Sequence, residues 1–290
     1  MTTTSDFFNM GAAPMRVGKV RLKVRDLDAI SNFYRTVLGL DEISASDRQV
    51  VLGAGKTPLL VLEGDAALVS NDRRQAGLFH TAFLMPTRAD LARWLGHVAG
   101  QRTRLHGASD HIVSEALYLA DPEGNGIEVY VDRPVPQWLD DSGNIRMSTD
   151  PLDVQDLLNA AGTTTWRGFP EGGSIGHVHL QVGDTAAADR FYRDLLGFEV
   201  TVDYPGASFY GSGGYHHQLA GNVWNSRGAP QRPQNMAGLD NVELIARNAS
   251  DIAAVTARAQ GAGLEAIKDD EGTVLRDPWG TAITLRAEEN

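Results

Sequence analysis

The sequence predicts an α+β fold built from four βαβββ modules, and three observations predict it. A strand, a helix and a glycine stop occur together twice in the chain. A second block of the same pattern but different sequence also occurs twice. A strand, tight turn and strand then close the second and fourth blocks.

The first module spans roughly 16–66. Its strand is Val17-Gly18-Lys19-Val20-Arg21-Leu22-Lys23-Val24, its helix carries Asn32-Phe33-Tyr34-Arg35, and Leu38-Gly39 stops the helix. The third module, 174–222, repeats it as Ile175-Gly176-His177-Val178-His179-Leu180-Gln181-Val182, Arg190-Phe191-Tyr192-Arg193 and Leu196-Gly197. The second module, 76–132, begins Ala76-Gly77-Leu78-Phe79-His80, and Thr87-Arg88-Ala89-Asp90 opens its helix in the pattern of a capping box. It closes with a hairpin in which Leu117 to Ala120 is apolar and aromatic, Asp121-Pro122-Glu123-Gly124-Asn125-Gly126 makes the reversal, and Ile127 to Val131 resumes β-forming residues. The fourth module, 237–287, answers with Ala237-Gly238-Leu239-Asp240-Asn241, a helix opened at Ser250-Asp251, and a hairpin from Val274 to Leu285.

Two modules make each half, so the expected domains are 1–133 and 174–290 with a connector at 134–173. Trp138, Leu157 and Leu158 are poor residues for a free linker, which predicts an ordered connector with a short helix at 154–160. Residues 1–14 are expected to be disordered.

Composition narrows the function classes. Hydrophobic residues make up 42% of the 290 and charged ones 22%, as in soluble globular proteins. No apolar run approaches the roughly 18 residues that span a bilayer, and the start of the chain lacks a basic segment followed by an apolar one, so a cytoplasmic protein with no membrane partner is expected. A net charge of −11, from 26 basic against 37 acidic residues without a basic cluster, argues against nucleic acid. Cysteine is absent, so any metal must be held by His, Asp or Glu.

The repeats act as internal controls, because scaffold residues recur while site residues need not. Asp121-Pro122, Gly124 and Ile127 recur as Asp277-Pro278, Gly280 and Ile283, and are turn and core. By contrast, His80, Tyr118 and Glu128 are replaced by Asn241, Val274 and Thr284, and His177 stands where the first module has Lys19. Glu128 lies inside a strand between Ile127 and Val129, and burying a carboxylate costs several kcal/mol unless it is paired or bound to a metal. Two imidazoles and one carboxylate are the ligand set that suits non-haem Fe(II), with positions left open for substrate and oxygen.

On these residues the chain resembles the vicinal oxygen chelate superfamily, and within it the type I extradiol ring-cleavage dioxygenases, especially two-domain bacterial catechol 2,3-dioxygenases. The sharpest part is a signature carried by His111, Leu117-Tyr118, Asp121-Pro122, Gly124 and Glu128, with Ser109 departing from the residues usual at its position. The resemblance implies two curved mixed-sheet barrels of the glyoxalase, bleomycin-resistance and extradiol dioxygenase type. It implies Fe(II), occasionally Mn(II), on His80, Glu128 and His177, with His111 and Tyr118 hydrogen-bonding the substrate oxygens or bound oxygen. An acid–base histidine is implied at His216 or His217, and adjacent strand residues face opposite ways, so only one points inward. Phe209, Tyr210, Trp224 and Trp166 are candidates to wall an aromatic pocket. The implied partners are a small aromatic diol and O2, in a homo-oligomer. The alternatives are a glyoxalase-like metal-dependent isomerase or lyase, which usually holds its metal with four protein ligands, and a non-catalytic binding module.

The best-known two-domain extradiol enzymes carry the metal in the C-terminal half, but here Asn241 and Thr284 stand where that half would need a His and a Glu. Because every ligand residue lies in modules two and three, those modules are expected to pair across the halves, leaving one and four as an empty pseudo-site. The competing arrangement pairs modules one and two, with Glu63 joining His80 and Glu128.

Overall fold

The computed structural model describes residues 6–288. Module one comprises β1 (Met15–Val24), α1 (Leu27–Phe33), β2 (Asp41–Ala45), β3 (Gln49–Ala54) and β4 (Thr57–Gly64). Module two comprises β5 (Gly77–Leu84), α2 (Arg88–Gly100), β6 (Gly107–Asp110), β7 (Ser114–Ala120) and β8 (Gly126–Asp132). The connector contributes β9 (Asp150–Pro151) and α3 (Val154–Asn159). Module three follows as β10 (Ser174–Gln181), α4 (Thr185–Asp189), β11 (Glu199–Tyr204), β12 (Ala207–Gly211) and β13 (Leu219–Asn222). Module four is β14 (Gly238–Ala246), α5 (Ala249–Gly261), β15 (Ile267–Lys268), β16 (Thr273–Arg276) and β17 (Ala282–Ala287). The fold is therefore α+β, mostly sheet.

Local chemistry starts and stops these elements. Asp26, Thr87 and Asp184 cap α1, α2 and α4, accepting from the amides of Ala29, Asp90 and Ala187. α5 begins one residue earlier than expected, with Asn248 at its cap and Ser250 already inside the first turn. Both α1 and α4 run on into a wider turn, Tyr34–Leu38 and Arg190–Leu195. The Asp-Pro reversals work alike in both copies: Asp121 accepts from the amides of Glu123 and Asn125, and Asp277 from those of Trp279 and Thr281. Gly124 and Gly280 sit there at φ +87° and +92°, where a side chain would be strained.

The two sheets cross the halves. One runs β15-β16-β17-β14-β1-β4-β3-β2 and joins modules four and one; the other runs β11-β12-β13-β10-β5-β8-β7-β6-β9 and joins modules three and two. In each, two first strands meet antiparallel at the centre, β1 with β14 and β5 with β10. Each first strand also pairs in parallel with its own module's last strand. Helices tie the sheets together: Tyr34, after α1, donates to Asp121 of module two (3.4 Å), and Tyr192, after α4, donates to Asp277 of module four (2.8 Å). Both tyrosines are buried, as is Trp94 of α2, whose indole donates to the Val37 carbonyl (2.9 Å).

The connector is ordered, with Trp138 and Leu157 fully buried. The expected disorder of residues 1–14 does not hold for those described. Phe8 stacks on Tyr215 and Trp138, with ring centroids 4.8 and 6.2 Å away, because this aromatic cluster would otherwise lie open to water. Residues 1–5 lie outside the described residues. Among the described residues no helix is long and apolar enough to cross a membrane.

Candidate metal centre and active site

The pairing of β5 with β10 brings the differing residues together. His80 lies on β5, Glu128 on the neighbouring β8, and His177 on β10. His80 Nε2 is 2.9 Å from Glu128 Oε2, His177 Nε2 is 3.2 Å from the same oxygen, and the two Nε2 atoms are 3.3 Å apart. All three residues are buried, at 6%, 2% and 2% exposure. Ligand atoms held at right angles about 2.1 Å from one ion lie about 3 Å apart, so this triangle fits one face of a metal's coordination sphere. Among the described residues, it is the one cluster with metal-ligand geometry.

Electrostatics prepare the cluster for a cation. Burial lowers the His177 pKa to about 4, against the opposing pull of Glu128, so its lone pair is free at neutral pH. Burial alone would raise the Glu128 carboxyl, but the two imidazoles outweigh it and hold the group well below its ordinary range. A carboxylate with two imidazoles is a donor set that a divalent ion takes, displacing any proton the three share. His177 approaches this closely because residue 176 is glycine, where a Cβ would overlap the Tyr130 hydroxyl.

Glu63 takes no part. It lies on β4 in the other sheet, paired with Arg21 (3.4 Å), so the competing arrangement of modules one and two does not occur. Where the metal cluster would be repeated in that sheet, Asn241 donates to Thr284 (2.7 Å) and the Lys19 ammonium lies 3.4 Å from Glu243. A fixed cation on the chain thus occupies the pseudo-site.

The cluster lies on a cavity of about 200 Å³. His111 and Tyr118 line it and form a pair, the Tyr118 hydroxyl donating to His111 Nε2 (2.6 Å) while His111 Nδ1 donates to the Ser148 carbonyl (2.6 Å). The carbonyl accepts only, so His111 carries its proton on Nδ1. Burial, and then the charge of Glu128 opposite it on β8, raises the Tyr118 phenol well above its usual value, so it remains a donor. Phe209 and Trp224 form part of the wall, joined by Phe79, Tyr204 and Met147.

Three expected residues lie elsewhere. Tyr210 follows Phe209 on β12 and therefore faces the opposite side, where it donates to Asp189 (2.8 Å) and stacks near Tyr192. His216 is not part of the lining; it is fully buried against Trp138, and of the two adjacent histidines His217 reaches the cavity. Trp166 packs on His97, away from the cavity.

His179, for which the sequence carries no expectation, joins the site. It lines the cavity, its ring 5.0 Å from that of His80, and the Asn222 amide donates to its Nε2 (3.0 Å) while Asn222 Oδ1 accepts from the Trp224 amide. The available signal was its place two residues beyond His177, which puts both on one face of the strand.

His111 sits in a strained turn. Ile112, β-branched, has φ +70°, with its amide bonded to Asp110 Oδ1 (2.9 Å); Arg133 pins Asp110 (2.6 Å) and also reaches Glu115 (3.3 Å). Ile112→Gly is expected to stabilise the protein by about 1 kcal/mol, read as a higher urea midpoint. An unchanged or lower midpoint would show that the turn stores no strain.

A chain of paired βαβββ modules with a His-Glu-His cluster on the central strands belongs to a metal-using class, and residues 16–129 and 174–285 both match the Glyoxalase/Bleomycin resistance protein/Dioxygenase superfamily, to which this chain belongs. The chain is 39% identical over 275 residues to the catechol-2,3-dioxygenase of Bacillus subtilis (strain 168), a match that covers 93% of this chain and 96% of that one. Two solved structures share the fold. One, from Bacillus subtilis, has a TM-score of 0.64 at 13% identity and covers 96% of this chain and 86% of its own. The other, glyoxalase I of Zea mays, has a TM-score of 0.58 at 15% identity over 93% and 92%.

Proposed function

We propose that this chain cleaves the ring of catechol, or of a small uncharged substituted catechol, beside its two hydroxyl groups, using O2 and Fe(II) held by His80, Glu128 and His177. The observation that carries this reading is the 3 Å triangle of those three residues on the floor of an aromatic-walled cavity. The 39% identity to a catechol-2,3-dioxygenase supports it. The single carboxylate in the cluster favours it over an isomerase, which usually adds a second Glu.

Fe(II), or Mn(II) in its place, supplies when bound a Lewis acid for both substrate oxygens and a redox centre for O2. The chain's own residues do the rest. Phe209, Trp224 and Phe79 hold the ring by its faces and edges. His217 removes a proton from a substrate hydroxyl and returns it as the ring opens, for which a histidine is suited. Tyr118, its hydroxyl hydrogen held by His111 Nε2, turns its oxygen lone pair to the cavity to accept from a substrate hydroxyl. Both oxygen atoms of O2 end in the product, a ring-opened aldehyde acid.

Glu128 is the only formal charge among the residues lining the cavity. No Lys or Arg lines it, so a substrate carboxylate on the ring edge away from the proposed metal would lie there unpaired, at a cost of several kcal/mol. The test is anaerobic loading with Fe(II), then catechol or 3,4-dihydroxybenzoate in air, recording oxygen uptake and the absorption spectrum. A yellow product with one O2 consumed per catechol is expected, with kcat/KM at least about 100-fold lower for the carboxylated diol. No oxygen uptake with any catechol would overturn the reading.

A further inference from the structure

The adjacent histidines 216 and 217 are joined to a third group that the reaction does not touch. His217 Nδ1 lies 2.8 Å from His216 Nδ1, and His216 Nε2 lies 2.9 Å from Asp132 Oδ1. Two ring nitrogens at that distance share one proton, so one ring donates and the other accepts. What stands at the far end of the chain decides which.

We infer that Asp132 is a positioning residue which, through His216, fixes His217 in the tautomer protonated on Nδ1 and leaves its Nε2 bare toward the cavity. A carboxylate only accepts, so His216 Nε2 carries hydrogen. In the tautomer that donates to Asp132 through Nε2, His216 presents a bare Nδ1, and His217 Nδ1 donates to it. The remaining nitrogen of His217 is left as an acceptor, and His217 is the member of the pair that lines the cavity.

The surroundings hold this arrangement in place. The Tyr215 hydroxyl donates to the same Asp132 oxygen (3.1 Å) and exchanges a further bond with Tyr130 (2.8 Å), so the carboxylate cannot swing away without losing both donors. Trp138 lies against His216, with ring centroids 5.0 Å apart, and Phe8 covers Tyr215. His216 is fully buried, which keeps water from offering a competing donor or acceptor. Asp132 ends β8, the strand that carries Glu128, so the same β-strand supplies a metal-type ligand and the group that orients the base.

This inference rests on the proposed role of His217 as acid–base group, but proton placement is measurable without turnover. The full chain, labelled with 15N-histidine and kept diamagnetic with Zn(II), is examined by long-range 15N–1H correlation, with His216→Gln and His217→Gln identifying the two rings. His217 is expected to show a protonated Nδ1 and a bare Nε2. Asp132→Ala is expected to give a mixture of tautomers and, in the Fe(II) enzyme, kcat lower by about 10- to 100-fold with KM nearly unchanged. Asp132→Asn, whose carbonyl oxygen still accepts from His216 and Tyr215, restores the single tautomer. A protonated Nε2 on wild-type His217, or a tautomer indifferent to Asp132→Ala, overturns the inference, and the wild-type spectrum alone decides it if the alanine variant does not fold. The expected tautomer in a chain that consumes no oxygen would instead leave the proton placement standing and remove the dioxygenase reading.

Discussion

Glu128→Gln and His177→Ala are each expected to abolish Fe(II) binding and ring cleavage, with activity down at least about 1,000-fold. Each removes one of the three proposed ligands from a buried triangle, and among the described residues no further carboxylate joins that cluster. Glutamine nearly preserves the shape of Glu128 but gives up the charge that two imidazoles stabilise. Binding can be followed separately from turnover. An ion present at 100 times its dissociation constant stabilises the folded state by about 2.7 kcal/mol, so the rise in melting temperature on adding Fe(II) should vanish in both variants. His177 is the sharper test, because it lies in the opposite half of the chain from the other two. Full metal binding in His177→Ala would refute a site shared across the halves.

His217→Gln is expected to lower kcat by roughly 100- to 10,000-fold while leaving the metal in place. His217 stands beside His177, with ring centroids 4.1 Å apart, but contributes no atom to the triangle. Loss of metal together with loss of activity would make it a structural or ligating residue instead. Tyr210→Phe is the matched control on the neighbouring strand. Its hydroxyl bonds Asp189 behind the sheet, so the variant is expected to lose about 1 kcal/mol of stability and change kcat by less than twofold.

The sheet of modules one and four explains why four modules offer one such cluster among the described residues. Where β10 carries His177, β1 carries Lys19, whose ammonium lies against Glu243 in place of a bound cation. Asn241 and Thr284 satisfy each other by a hydrogen bond, so neither remains available as a ligand. The scaffold is kept in both sheets because the Tyr34 to Asp121 and Tyr192 to Asp277 contacts need both copies of the turn.

The sequence by itself determined the modules, their order and the candidate ligands. Periodicity and turn chemistry are local properties, and two copies of each block separate scaffold from site: Asp121 recurs as Asp277, whereas Glu128 becomes Thr284. Only the tertiary structure decided which histidine of the 216–217 pair faces the cavity, that Phe209 points in while Tyr210 points out, and that His179 joins the site. For Phe209 and Tyr210, strand alternation gives the relative phase of the side chains but not the absolute face, which is set when the strand packs, while His216 and His217 lie in the loop before β13, where no alternation applies. The register of β10 on β5, with His179 opposite His80 and His177 opposite Ala82, depends on residues about a hundred positions apart in the chain. No local pattern encodes that distance, and the Asp132 to His216 contact belongs to the same class, because it forms only where two modules from different halves close on one another.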